Sequence, residues 1–335
     1  MLIVTLYSRK ECKLCDEVKE HLASLQNEFP HRLAEVDIES DPSLQKTYFD
    51  KIPVVQVGPY TLLAPITQEQ LKMTLGAASD RHGQLQSIGG ETYEARVRRS
   101  QQFTTGDRIS YWLSKHYLAV INLMLFIYVG LPFLAPTLME AGLPLPARAI
   151  YTIYSPFCHQ FGFRSFFLFG EQAYYPLPEA GINGVKTFDQ VTGFQDLSNP
   201  SSYSRLEARN FIGNETTGYK VALCERDVAI YFGLMLFGIL FALSGRRLPA
   251  LHWTLWLFLA LGPIGLDGFS QLFSQFNFPW LSSLVPYRES TPFLRVLTGG
   301  LFGFGTAWFS IPYMEESMAE TRQYFIKKFA GAKPN

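Results

Sequence analysis

The chain is 335 residues long and balances 29 Lys plus Arg against 29 Asp plus Glu, so its formal net charge is zero. It contains no long basic run, and nothing in it points to nucleic acid. Hydrophobic residues make up 47% with 28 Phe, yet the mean hydropathy is only +0.05, which requires a polar part beside a very apolar one in a chain long enough for about two domains.

Four cysteines are too few to staple a secreted fold. The first ten residues are apolar first and basic afterwards, the reverse of a signal peptide, so the first domain is expected to stay in the cytoplasm. Leu2 to Tyr7 is a short run of β-formers, and from Cys15 the apolar Val18, Leu22 and Leu25 recur at helical spacing. Arg32 to Asp37 reads as a second strand, Asp41-Pro42 opens a second helix, and Ile52 to Val57 is a third strand. Gly58-Pro59 turns the chain into Tyr60 to Leu63, and Thr67 caps a last helix through about Leu75.

Cys12-Lys13-Leu14-Cys15 follows the first strand, and Ile52-Pro53 precedes the third. With Val36 to Pro42 and Lys51 to Val55, this order resembles the thioredoxin fold and, within it, the glutaredoxin-like family, over roughly the first 78 residues. A cysteine at a helix N-terminus is favoured as thiolate by the dipole and the free N–H groups, and Lys13 adds positive charge, so Cys12 is the expected nucleophile. Cys15, about one turn along, is placed to resolve a mixed disulfide. The resemblance implies that Pro53 is cis and lies beside the dithiol, where a peptide or glutathione would bind; it locates no glutathione-binding residue. Two alternatives stay open for the pair: a zinc or structural cysteine pair, for which this domain lacks a second pair, and an inactive domain.

Residues 79–112 read as a linker and a basic juxtamembrane helix carrying Arg96, Arg98 and Arg99. Four apolar segments then suggest spans: His116 to Pro136, Val228 to Leu243, Leu251 to Leu266 and Phe293 to Ile311. Ile150 to Gly170 is apolar but interrupted by Pro156, Cys158, His159, Gln160 and Arg164, and it fits a short membrane-embedded element followed by an outer polar loop, 171–222. Arg246-Arg247 and Lys327-Lys328, like the basic residues before Lys115, belong on the cytoplasmic side by the positive-inside rule. The expected architecture is an α/β thioredoxin-like domain followed by an all-α polytopic domain (113–314) and a cytoplasmic tail (315–335) in a bacterial-type cell membrane. Both termini are then cytoplasmic, and Cys158 and Cys224 lie on the outer side.

Cys158-His159-Gln160, Arg164, Cys224-x-Arg226-Asp227, Asp267-x-x-x-Gln271 and Arg295-x-x-Thr298-Gly299 place polar groups at membrane boundaries, where each needs a partner or a role. Together these motifs resemble the membrane-protein family known as DUF2085, over about Tyr117 to Tyr313. That family usually has Cys-x-Arg-Cys-x-Gly before the span, whereas Asp227 and Ala229 stand here at the second cysteine and the glycine. Cys158, His159, Cys224 and Asp227 make a sensible four-ligand set for zinc or another thiophilic metal. A Cys158–Cys224 disulfide and unlinked packing residues are the other open readings. Asp267 and Arg295 are expected to pair, with Gln271 supporting them, and Gly299, Gly303 and Gly305 to allow close helix contact.

Two functions follow as expectations. The first is a membrane-anchored thiol-disulfide oxidoreductase whose partners are the lipid bilayer and protein or glutathione disulfides. The alternative is a membrane metal-binding or transport protein with the redox domain as accessory. A third reading, in which the membrane part is only an anchor, leaves the polar residues unexplained.

Overall fold

The structure is a computed structural model that describes residues 2–102, 104–199, 202–275 and 287–332; the side chains of residues 94, 96 and 98–101, and so the expected basic cluster at Arg96, Arg98 and Arg99, lie outside the description. The chain divides into two compact units, one of residues 1–116 and 316–335 and one of residues 117–315.

The first unit is built on a four-stranded sheet in the order β2-β1-β3-β4, with β1 (Leu2–Ser8), β2 (His31–Asp37), β3 (Val54–Val57) and β4 (Tyr60–Leu63). β1 runs parallel to β2 and antiparallel to β3. Each sheet face is covered. Val4, Leu6, Val55 and Val57 pack with Val18 and Leu22 of α1 (Lys13–Ser24) and with Leu71 and Leu75 of α3 (Gln68–Gln101). Tyr7, Val36 and Val54 face Leu44 of α2 (Pro42–Tyr48). Alternation along the strands sends neighbouring side chains to opposite faces, which is why these two sets interleave in sequence. The Ile52–Pro53 bond is cis, and so is Ala64–Pro65.

One expectation for this unit needs correction. The linker part of the expected linker and juxtamembrane helix, 79–112, is helical instead: α3 continues to Gln101, broken only at Gly90, whose φ of 48° leaves the helical region. Its Ala, Gln, Leu, Glu and Arg residues are good helix formers even without an apolar stripe. The expected tail, 315–335, is helical through Gly331. Ile326 and Ala330, at the end of α10 (Pro292–Gly331), pack against the second sheet face.

Arg322 donates from Nε to Asp41 Oδ2 at 2.8 Å and from Nη1 to the Ser114 carbonyl at 3.0 Å, and Lys327 reaches Gln56 at 2.7 Å. Asp41 also caps α2 through the Ser43 amide. Burial alone would raise the Asp41 carboxyl, but Ser43 and Arg322 outweigh it and hold it below the ordinary range. A lowered folded pKa makes this contribution fully present above the unfolded carboxylate value and lost as pH falls through the folded one. Arg322→Ala is therefore expected to cost about 3 kcal/mol at neutral pH, because it strands a buried carboxylate. In hydrogen exchange, β1 and β2 should lose on the order of a hundredfold protection; unchanged protection would show the pair to be dispensable.

The second unit is not all-α. α5 (Pro144–Tyr154) ends the first part of the apolar 150–170 run, a short turn follows, and β5 (Ser165–Leu168) ends it. The expected embedded element is thus a helix end, a turn and a strand. Within the expected polar loop lie α6 (Phe188–Thr192), α7 (Tyr203–Asn210), β6 (Gly213–Asn214) and β7 (Gly218–Cys224), with the antiparallel order β5-β7-β6. Gly218 has φ +67°, and a Cβ there would lie 2.1 Å from the Leu168 carbonyl, so only glycine admits this approach. Phe163, Phe167, Tyr175, Leu177 and Phe188 form the core of this small domain.

Among the described residues, three helices are long and apolar enough to cross a membrane: α4 (Thr105–Glu140), α8 (Glu225–Leu243) and α9 (Trp253–Ser274). Leu123, Met124 and Phe126 on α4, Phe232 on α8, and Phe258, Leu266 and Phe269 on α9 are exposed, as a bilayer-facing surface requires. The fourth expected span, Phe293 to Ile311, is helical within α10, but Arg295, Thr298 and four glycines dilute its apolar character. Gly299 and Gly303 bring α10 against α8: a Cβ on Gly303 would lie 1.9 Å from the Ile230 carbonyl, and one on Gly233 of α8 would lie 2.7 Å from that of Gly300. Asn122 of α4 likewise sits against Gly238.

Candidate functional site

Cys12 is the N-cap of α1. Its sulfur accepts the Cys15 amide at 3.3 Å, and its carbonyl accepts the amides of Cys15 and Asp16. The two cysteines are joined in a disulfide. Cys15 is buried at 1% exposure while Cys12 is half-buried, so an incoming group meets Cys12 first. Buried Pro53 directly precedes β3, which pairs with β1, the strand leading to the dithiol. The left-handed Glu11, φ 59°, turns the chain from β1 into this cap.

The second constellation forms where β7 ends and α8 begins. Cys224 closes β7, caps α8 and pairs in register with Ser165, and Cys158 comes from the turn after α5. Cys158 Sγ accepts the amides of Cys224 at 3.3 Å and Gln160 at 3.4 Å. Both cysteines are free and buried. The neighbouring Cys224 thiol holds Cys158 below the ordinary thiol range, and the Cys158 sulfur together with burial pushes Cys224 up. One turn into α8, Asp227 brings its carboxylate to the pair, and the three ligand atoms lie within 4.8 Å of one another. They face a cavity of about 300 Å³ lined also by His159, Arg164, Arg226, Gln271 and Arg295. His159 lines that cavity but stands outside the converging three, with Nδ1 toward the Phe161 amide at 3.5 Å.

Gln160 lies elsewhere. Its Nε2 donates to the carbonyls of Tyr151 at 2.9 Å and Ala222 at 3.0 Å, pinning the turn to β7. Lys220, 1% exposed, does the same from the other side by donating to the Gln160 carbonyl at 2.7 Å, and burial lowers its pKa to about 7.

Beyond the thiols the charges form two clusters. Glu289 takes a two-point contact from Arg164, at 2.7 and 2.9 Å, and also pairs with Arg295, which reaches Glu225 at 3.0 Å. Burial would raise the Glu289 carboxyl, but Arg164 and then Arg295 outweigh it and hold it low. Asp267 is bound by Arg226, by Arg288 at 2.8 Å and by the Ser290 hydroxyl at 2.7 and 2.9 Å. The expected Asp267–Arg295 pair is thus not formed, because each has closer opposite charges. Gln271 lines the cavity without bridging those two. Glu289, Arg288 and Ser290 were not singled out in the sequence; the signal for them is the charged Arg-Glu-Ser triplet just before α10.

A model described as a glutaredoxin-like domain (DUF836) matches residues 3–76, and one described as a predicted membrane protein (DUF2085) matches residues 203–309. A glutaredoxin-like domain and a predicted membrane domain therefore share one chain. The second match takes in Cys224, Asp227, Asp267, Gln271, Glu289 and Arg295 and is narrower than the expected Tyr117 to Tyr313. The chain is also similar to the uncharacterized protein MJ1492 of Methanocaldococcus jannaschii, 25% identical over 213 residues that cover 61% of this chain and 96% of the relative. No solved structure matches significantly.

Proposed function

We propose that the chain is a membrane-anchored thiol-disulfide oxidoreductase acting through Cys12 and Cys15. The observation that carries this reading is the half-buried Cys12 sulfur at the N-cap of α1, linked to a buried Cys15. In the reduced protein the Cys12 thiolate attacks a substrate disulfide, forming a mixed disulfide and releasing one substrate thiolate, which takes a proton. Cys15, deprotonated, then attacks the Cys12 sulfur, forming Cys12–Cys15 and releasing the second substrate thiol. Two electrons and two protons pass to the substrate, and glutathione or another thiol donor restores the dithiol. The N-terminal end of α1 supports the thiolate in both steps, and Pro53 shapes the surface that receives a protein or glutathione disulfide.

The orientation belongs to the same proposal. Arg246 and Arg247 follow α8, and basic residues precede the apolar part of α4, so an inner location of both puts Cys12 in the cytoplasm. The apolar part of α10 then supplies a fourth crossing and returns the C-terminus to that side. The test is reduction of a membrane-impermeant fluorescent disulfide by sealed vesicles containing the full chain, with glutathione and a reducing system outside. Turnover by inverted but not by right-side-out vesicles is expected. Absence of turnover in both would remove the redox reading, and turnover only in right-side-out vesicles would remove the orientation.

A further inference from the structure

The dithiol chemistry makes no use of the cavity at the head of α8, yet that is where the second unit concentrates its buried reactive groups. Two sulfurs and a carboxylate converge there within 4.8 Å, supplied by two separate chain segments. Cys224 and Asp227 stand at the cap and the first turn of α8, three residues apart, so both point to the same side of the helix. Cys158 is brought opposite them by a turn that Gln160 and Lys220 hold in place. Such rigid support from neighbouring hydrogen bonds is what a ligand set needs.

Charge separates this group from its surroundings. Glu225, Glu289 and Asp267 are each bound by arginine. Among the described residues, no Lys or Arg pairs with Asp227, which is only partly buried at the cavity wall beside the thiols. Arg164, Arg226 and Arg295 line the same cavity, but their ion pairs are with Glu289, Asp267 and Glu225, so among the described residues the carboxylate and the two sulfurs keep no ion-pair partner and can take a cation that is not part of the chain. The Arg226 Nε is buried and without a partner on the same wall, so an anion or water beside that cation would meet a donor.

We propose that Cys158, Cys224 and Asp227 form a mononuclear site for a thiophilic divalent cation of the zinc class, with its remaining coordination position open to the cavity. Two thiolates and one carboxylate suit zinc by donor type, and three protein ligands with one open position are the pattern of exchanging or catalytic sites rather than closed structural ones. The cavity of about 300 Å³ leaves room for water or a small ligand in that position. This site is independent of the proposed redox function, because no residue is shared between them.

The test uses the full chain carrying Cys12→Ser and Cys15→Ser, purified in mild detergent and reduced with a phosphine, so that the N-terminal pair cannot compete. Zinc alone, then cobalt alone, is added and the excess removed. The expected result is one metal per chain and an intense near-ultraviolet thiolate-to-cobalt band. Cys158→Ser and Cys224→Ser should each lower affinity by about a hundredfold or more and weaken that band, whereas Asp227→Asn should lower affinity by about tenfold and keep it. A reduced protein that binds neither metal would overturn the site, even where the variants fail to fold. So would binding unchanged by Cys158→Ser, or a Cys158–Cys224 disulfide found in the starting protein by mass that persists under reduction.

Discussion

Cys12→Ser is expected to abolish disulfide reduction, with a fall of at least about a thousandfold, because a serine hydroxyl is not ionised at neutral pH and cannot replace a thiolate as nucleophile. Cys15→Ser should behave differently. Its buried sulfur accepts no incoming substrate in this geometry, so under the proposed redox reading the first attack should proceed and the protein accumulate as a mixed disulfide on Cys12. Mass spectrometry of each variant after one equivalent of a disulfide peptide separates the roles: an adduct on Cys15→Ser and none on Cys12→Ser. Adducts on both variants at equal rates would mean that the helix cap confers no selectivity. Because Cys12 caps α1 through its sulfur, serine keeps an acceptor for the Cys15 amide, and the fold should survive the change.

That dithiol and the sheet beneath it were legible from sequence because the signals are local. A cysteine pair after one strand, Asp41-Pro42 at a helix start and the Val54 to Val57 alternation each act over a few residues, and local propensity agrees with the final fold there. The second unit was read less well for a physical reason. Phe163, Phe167 and their neighbours are apolar because they fill the core of a small α/β domain, yet an aromatic run gives the same composition whether it faces lipid or a sheet. Cys158 and Cys224 lie together because Ser165 pairs directly with Cys224 and shortens the path between the segments. The charge pairing was not recoverable. Asp267 and Arg295 are the conspicuous pair in sequence, but pairing depends on which of four arginines reaches which of three carboxylates, and that is set by helix rotation.

The pairing itself makes a sharp expectation at Glu289, whose side chain has 0% exposure and joins Arg164 to Arg295. Glu289→Ala should cost about 3 to 5 kcal/mol, because Arg164 loses its two-point partner and Arg295 keeps the Glu225 carboxylate beside the Phe163 carbonyl. The apparent melting temperature of the full chain in detergent should fall by about 10 °C. Arg288→Ala should cost far less, about 1 kcal/mol, because its side chain is 36% exposed and Asp267 retains Arg226 and Ser290. If stranded charge is the cause at Glu289, removing the stranded partner should recover stability. The double variant Glu289→Gln with Arg164→Met leaves Arg295 paired with Glu225 and puts an apolar chain where the unpaired guanidinium would be. It should melt above Glu289→Ala, and additive losses would instead assign the effect to packing around Arg164.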